Sequence, residues 1–315
     1  MDIVLLFPGQ GSQKPGMGKA LASAFPEAAA VFAQADAALG ESLSETAFDG
    51  PADVLTLTHN AQPALLAHGA AAWAVVRDTV APHVRAAAGH SLGEFTAYHA
   101  AGAIDLAAAV RLVRQRGTLM YESGLARPGA MAVILGDTSR SIEDICADVS
   151  TSPEGGLVVP ANYNSPGQVV ISGEVDGVER AMDFARQAGA KRAIRLPVSG
   201  AFHSPLMAPA SEPFARALDA TPVGHPAFPV YANVTGEAVT NVAMARPLLV
   251  EQLTAPVRWT QLVERMVRDL PGALFIELGP GSVLSGLARK IAPGAECVAC
   301  GTPADVEALH RRIAA

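Results

Sequence analysis

The chain has 315 residues, half of them hydrophobic and 17% charged, with a formal net charge of −7. That length and apolar content suffice for one large domain or two smaller ones with a sizeable core. The negative balance argues against non-specific nucleic-acid binding, and three cysteines supply no disulfide framework, which fits a reducing compartment.

Strand and helix signals alternate from the start, the pattern of an α/β protein. The chain opens Met-Asp and runs directly into a short buried strand, Ile3–Phe7, with no basic stretch before it, so no secretory leader is expected. A glycine-rich loop, Pro8-Gly-Gln-Gly-Ser-Gln13, follows, and helices are predicted over 17–23, 26–39 and 61–79. The run Ala61 to Val76 is the longest apolar stretch. It is interrupted by Gln62, Pro63 and His68 and is too short to span a bilayer, so it reads as a buried helix. A cytoplasmic protein without membrane contact is the expectation.

Val84 to Ala88 reads as a strand and Glu94 to Ala101 as a helix, with Gly89-His-Ser-Leu-Gly93 between them. Asp105 is placed to cap a helix from Leu106 to about Ser123. Residues 128–198 then follow a logic of their own: strand 130–136, helix 141–149, strands 157–163 and 168–173 joined by the turn Asn164-Ser-Pro-Gly167, helix 175–188 and strand 192–198. The order βαββαβ is that of a ferredoxin-like unit, expected here as a small subdomain inserted into a larger domain made of 1–127 and 199–315. The larger domain resumes near Ser199, with strand 229–234, helix 257–269, strand 273–278 and a C-terminal helix from about 303. Cys297-Val-Ala-Cys300 lacks the setting of a redox pair and reads as buried thiols in a terminal strand.

The strand–turn–helix context marks Gly89-His-Ser-Leu-Gly93 as a nucleophile elbow. The turn is sharp enough that side chains at 89 and 93 would clash, and Ser91 projects from its apex beside a helix N-terminus, where negative charge is favoured. The competing reading is a buried serine in an ordinary βα turn. A nucleophilic serine needs a base. His90 adjoins it, but neighbouring side chains in a turn diverge. His203, in the small-residue loop Val198-Ser-Gly-Ala-Phe-His-Ser-Pro205 after a strand, is the better candidate, although such a histidine also serves purely structural ends. Acyl transfer also needs an oxyanion hole. The Leu92 backbone N–H is the expected donor, and Gln10 in the first loop offers a second. That loop lacks the lysine and spacing of a phosphate-binding P-loop.

The helix from Leu106 carries Arg111, Arg114 and Arg116. Leu106, Val110, Val113, Gly117 and Met120 define its apolar stripe. At about 100° per residue, Arg111 falls opposite that stripe, Arg114 about a quarter turn off it, and Arg116 at its margin. A buried guanidinium there needs a partner, either a protein carboxylate or a carboxylate on the substrate, bound bidentately.

Phe7-Pro-Gly-Gln-Gly-Ser-Gln13, Gln62-Pro-Ala-Leu-Leu66, Gly89-His-Ser-Leu-Gly-Glu94, Arg116-Gly117, Gly129-Ala-Met-Ala132, Asn164-Ser-Pro-Gly-Gln168, Phe202-His-Ser204, Glu277-Leu-Gly-Pro-Gly281 and Ser285-Gly-Leu287 follow one another along the chain. In these motifs the sequence resembles the malonyl-CoA:acyl-carrier-protein transacylases, a family that also supplies the acyltransferase domains of polyketide synthases. The resemblance runs essentially end to end. It implies a large α/β-hydrolase-like domain carrying the ferredoxin-like insert, and an acyltransferase working by a Ser91–His203 dyad with ping-pong kinetics. Malonyl-CoA is the implied donor and the phosphopantetheine thiol of acyl carrier protein the acceptor. No permanently bound cofactor and no metal are expected. In the family a backbone carbonyl orients the histidine, and the matching residue is Gln252, in Glu251-Gln-Leu253. Gln10 and Leu92 match the oxyanion-hole donors, and Arg116 matches the arginine that pairs with the malonyl carboxylate. Phe202 matches a position where phenylalanine goes with malonyl and serine with methylmalonyl. Gln62, His90, Asn162 and Asn164 match the channel. The run Gly200-Ala-Phe-His203 departs from that of many bacterial fatty-acid enzymes and looks more like the actinobacterial or polyketide-associated variant.

The expected protein is thus a monomeric malonyltransferase of fatty-acid synthesis. A trans-acting acyltransferase of a polyketide synthase shares the same residue chemistry. A serine esterase or thioesterase is the alternative of another class, and it would need Ser91 to turn over rapidly to water and Arg116 to be dispensable.

Overall fold

In the computed structural model, which describes residues 1–198 and 200–314, the chain folds around two β-sheets. The strands are β1 (Ile3–Phe7), β2 (Val84–Gly89), β3 (Gly129–Leu135), β4 (Val158–Ser165), β5 (Gln168–Glu174), β6 (Arg192–Arg195), β7 (Val230–Tyr231), β8 (Ala238–Val239), β9 (Leu274–Leu278) and β10 (Glu296–Cys300). The larger sheet has the order β10-β9-β1-β2-β7-β8, parallel except for the final β7–β8 hairpin. β1 lies near its middle and reads Ile-Val-Leu-Leu-Phe, fully apolar because helices cover both faces. Ile3, Leu5 and Phe7 pack toward the helices Pro26–Leu39, Thr58–Val80 and Leu106–Ala126. Val4 and Leu6 pack on the opposite face, toward Trp259–Asp269 and Val283–Ile291.

The smaller sheet is antiparallel, with the order β4-β5-β3-β6 and the helices Ile142–Thr151 and Val175–Gln187 on one face. Strand alternation divides its side chains. Ala130, Ala132, Ile134, Val158 and Ile171 pack against those helices. Met131, Val133 and Val170 point the other way, into a cleft shared with the loops that leave the larger sheet. This is a mixed α/β fold with one parallel and one antiparallel sheet.

Most elements fall where the sequence places them, including the helix Pro26–Leu39, the Asp105 side chain capping Leu106–Ala126 through Ala108 N, and Cys297 and Cys300 as buried thiols in β10. The expected strand 192–198 ends at Arg195, and Leu196, Pro197 and Val198 instead form part of the cleft wall. The expected strand 229–234 shrinks to two residues, because the chain turns back at once into β8. The helices Leu43–Asp49, Ala52–Thr56, Ala208–Asp219, Val242–Glu251 and Val283–Ile291 lie where no helix was expected. Two of them hold an internal proline, Pro213 and Pro247, which removes one ladder hydrogen bond. Their buried faces, built on Phe214, Leu218, Ala245 and Leu249, keep these segments helical against that cost. The proposed domain limits at Ser199 and Ala315 lie outside the described residues. Among the described residues, no helix is long and apolar enough to cross a membrane.

Candidate active site

The turn after β2 is as tight as its glycines imply, for two separate reasons. A Cβ on Gly89 would sit 1.9 Å from the Gly93 carbonyl carbon, and one on Gly93 would sit 2.0 Å from the carbonyl oxygen of Phe7 in β1. Glycine at 93 is therefore demanded chiefly by the neighbouring strand rather than by residue 89. Ser91 at the apex has φ +51°, a left-handed conformation that costs a non-glycine residue about 1–3 kcal/mol. Asn233, just after β7, holds it there. Its Oδ1 accepts from Ser91 N at 2.6 Å and its Nδ2 donates to Gly89 O at 2.7 Å.

His203 is the second described non-glycine residue with positive φ, +56°. Its loop is braced by Ser204, which donates to Ala201 O at 2.6 Å and caps the short helical turn Pro205–Met207. His203 Nε2 lies 2.8 Å from Ser91 Oγ, and its Nδ1 lies 2.8 Å from the Gln252 backbone carbonyl. A carbonyl only accepts, so Nδ1 carries the proton and Nε2 is left free to take one from Ser91. Burial, reinforced by the nearby Arg116 cation, pushes His203 down to about 3, so it is neutral at physiological pH. His90 points away from Ser91, its Nε2 2.8 Å from Asn164 Oδ1, as divergence in a turn requires.

Arg116 is buried and its guanidinium reaches the serine. The two helices that bring it there touch at Gly117, where a Cβ would lie 2.7 Å from His59 Cα and 2.8 Å from Thr58 O. Nη1 donates to Gln62 Oε1 at 2.8 Å, and Nη2 to Gln252 Oε1 at 2.7 Å and Ser91 Oγ at 3.2 Å. The Phe95 ring lies 5.3 Å from its carbon. All three acceptors are neutral oxygens, and no carboxylate among the described residues forms a salt bridge with it. Arg114, by contrast, pairs with Glu41 at the surface, and Arg111 is exposed. Burial lowers Arg116 to about 10, still cationic at neutral pH.

These groups open onto a cleft of about 540 Å³ between the two sheets. Gln10, Gln62, His90, Ser91, Leu92, Arg116, Asn162, Phe202 and His203 all line it, so the expected site residues are brought together with one exception. Gln252 lies behind the cleft wall and acts from there through its carbonyl and its side chain. Among the described residues, the backbone N–H groups of Gln10 and Leu92, both in the cleft lining, have no acceptor. Sequence reasoning missed Asn233 and the role of Glu94. Glu94 is fully buried and accepts from Asn233 N at 3.0 Å and Gln252 Nε2 at 2.7 Å. Its place in the first turn of the elbow helix is the only local signal of it. Asn233 has none.

A serine on a strained turn at the carboxyl end of a parallel strand, facing a neutral imidazole on a second strained loop with a buried guanidinium beside them, defines a class: α/β proteins built for nucleophilic acyl chemistry. The acyl transferase domain family model matches residues 4–302, and the chain belongs to that family. It is an acyltransferase. The malonyl CoA-acyl carrier protein transacylase of Bacillus subtilis (strain 168) is 44% identical over 306 residues, 97% of this chain and 95% of that protein. The crystal structure of acyl-carrier-protein-S-malonyltransferase from Bartonella henselae matches with a TM-score of 0.93 and 42% identity, covering 100% of both chains. A malonyl-transacylase solved in complex with its type II PKS acyl-carrier protein matches with a TM-score of 0.93 and 41% identity, covering 99% of this chain and 100% of that one.

Proposed function

We propose that this acyltransferase moves a malonyl group from coenzyme A to the phosphopantetheine thiol of an acyl carrier protein, through a malonyl ester on Ser91. The observation that carries this reading is Arg116, a buried cation 3.2 Å from Ser91 Oγ whose bonds go only to neutral oxygens. A substrate carboxylate two bonds beyond the reacting carbonyl supplies the direct ionic partner that it lacks. An acetyl group leaves the cation unpaired, which is how the site tells the two apart. The identities of the relatives agree with it.

Ser91 Oγ attacks the thioester carbonyl while His203 Nε2 takes its proton. Negative charge on the former carbonyl oxygen is met by the N–H groups of Gln10 and Leu92. As the intermediate collapses, the C–S bond breaks and His203 returns the proton to the departing thiolate. In the second half-reaction the carrier thiol gives its proton to Nε2 and attacks the ester, and Ser91 recovers the proton as its C–O bond breaks. The Gln252 carbonyl fixes the imidazole tautomer throughout. Phe202 fills the space beside the dyad that an α-methyl on the acyl group needs, and Gln62 and Asn162 shape the remainder of the channel.

The same reading divides the chain into a hydrolase-like domain, 1–127 with 199–315, and a ferredoxin-like subdomain, 128–198. The βαββαβ order and the β4-β5-β3-β6 sheet support it. A monomer in the cytoplasm goes with it. Fatty-acid synthesis is the favoured pathway. The likeness to a transacylase solved with a type II PKS carrier supports polyketide assembly as the second reading.

Intact-protein mass after brief exposure to malonyl-CoA, then to holo carrier protein, tests this. One malonyl adduct, absent in Ser91→Ala and discharged onto the carrier, is expected. An adduct that decays in water without the carrier makes the protein a hydrolase, and silence with every acyl-CoA overturns the substrate assignment.

A further inference from the structure

Glu94 and Arg116 are both buried, and no hydrogen bond or ion pair joins them directly. One side chain joins them: Gln252 Nε2 donates to Glu94 Oε2 at 2.7 Å, and Gln252 Oε1 accepts from Arg116 Nη2 at 2.7 Å. Glu94 Oε2 also accepts from Asn233 N, while Glu94 Oε1 and Arg116 Nε have no partner among the described residues. The free enzyme thus holds one buried carboxylate against one buried cation, with a proton-binding oxygen left over.

Resting on the reading that Arg116 receives the substrate carboxylate, we propose that Glu94 is the resident counter-charge of Arg116 and takes up a proton when that carboxylate arrives. A malonyl group brings a second negative charge into a pocket with a single cation. Two carboxylates sharing one site cannot both remain ionised at little cost, so one is protonated. The substrate carboxylate reaches the guanidinium directly, whereas Glu94 reaches it only through an amide. Glu94 is therefore the group that takes the proton. Desolvation already raises it to about 7, against the pull of Asn233, Gln252 and Arg116. The other titratable groups around it are Tyr98, one turn along its own helix and pushed up by burial, and His203 and His90 at the cleft, both pushed down by burial. His203 is the one rival acceptor, since pairing Arg116 removes a cation that depresses it.

Glu94 is a positioning residue here, since it acts on the substrate only through Gln252 and Arg116. Its protonation makes malonyl selectivity depend on pH. Above pH 7 the affinity for malonyl-CoA falls by up to about tenfold per pH unit while one proton is taken up, and that for acetyl-CoA does not. The thioester phosphates titrate alike in both ligands and cancel in the comparison.

Calorimetric titration of Ser91→Ala protein with malonyl-CoA and acetyl-CoA, at pH 7 to 9 in buffers of different ionisation enthalpy, counts the protons. Uptake with malonyl-CoA alone, lost in Ser91→Ala/Glu94→Gln and kept in Ser91→Ala/His203→Ala, is expected. The histidine variant keeps the test decisive should the Glu94→Gln protein fail to fold. Tighter malonyl binding without uptake, or uptake lost with His203, overturns the role of Glu94 and leaves the Arg116 reading standing. Equal affinity for the two thioesters at every pH removes the Arg116 reading itself, and this one with it.

Discussion

Asn233 clamps the strained backbone of Ser91 from 142 positions away, bonding the two peptide groups that flank His90 and lead into the apex, through Ser91 N and Gly89 O. Its own backbone N–H is held by Glu94, so the elbow, the β7 exit and the buried carboxylate form one unit. Asn233→Ala leaves two buried backbone groups without partners, at about 1–3 kcal/mol each. Thermal unfolding should show a loss of roughly 2–6 kcal/mol, and kcat should fall even in the fraction that stays folded. An unchanged melting temperature together with an unchanged kcat would show that the elbow holds itself.

Arg116→Ala removes the cation that we assign to the substrate carboxylate. Transfer of malonyl is expected to fall by about two to three orders of magnitude, corresponding to about 3–4 kcal/mol. Acetyl transfer should lose far less and gain in relative terms. Side-by-side kcat/KM values for the two thioesters decide it, and equal loss for both refutes the carboxylate pairing.

Phe202 is buried beside His203 and lines the cleft. Replacing the ring with a hydroxymethyl group opens space for one additional methyl on the acyl chain. Competition between malonyl-CoA and methylmalonyl-CoA should shift toward methylmalonyl in Phe202→Ser by roughly 10-fold or more, the worth of a methyl group in a fitted pocket. Unaltered preference would mean that the ring does not gate the pocket.

Acid should destabilise the fold, with Glu94 working against the trend. Burial depresses His68 to about 4 and His203 to about 3, and lowers His90 and His99 as well. Between those values and the unfolded value of about 6.5, the unfolded chain binds more protons, so their stabilisation is complete above pH 6.5 and is lost as pH falls. Glu94 is raised from 4.5 to about 7, and its contribution has the opposite sign, present in acid and lost as pH rises through that window. Each net proton is worth about 1.4 kcal/mol per pH unit. Chemical denaturation between pH 7 and 4.5 should show falling stability, falling more steeply in Glu94→Gln. A flat profile, or a shallower one in the variant, contradicts these protonation states.

The nearest-neighbour chemistry of the chain was enough to read the elbow at Ser91, the Asp105 cap, the βαββαβ run and the place of Arg116 at the margin of its helix's apolar stripe, because each is a matter of periodicity or of a few adjacent residues. Asn233, the Gln252 side chain and Glu94 were invisible as a network. Nothing in the residues around Asn233 distinguishes it from any loop asparagine, and Gln252 was legible only as the site of a carbonyl. Their meeting depends on β7 pairing beside β2 and on the helix Val242–Glu251 ending against the dyad, contacts between segments about 140–160 residues apart. Local pattern carries no record of such pairings. The free energy that selects them comes from burying the faces of the sheet under helices distant in sequence, and the charges that tune the site become neighbours only once that burial is complete.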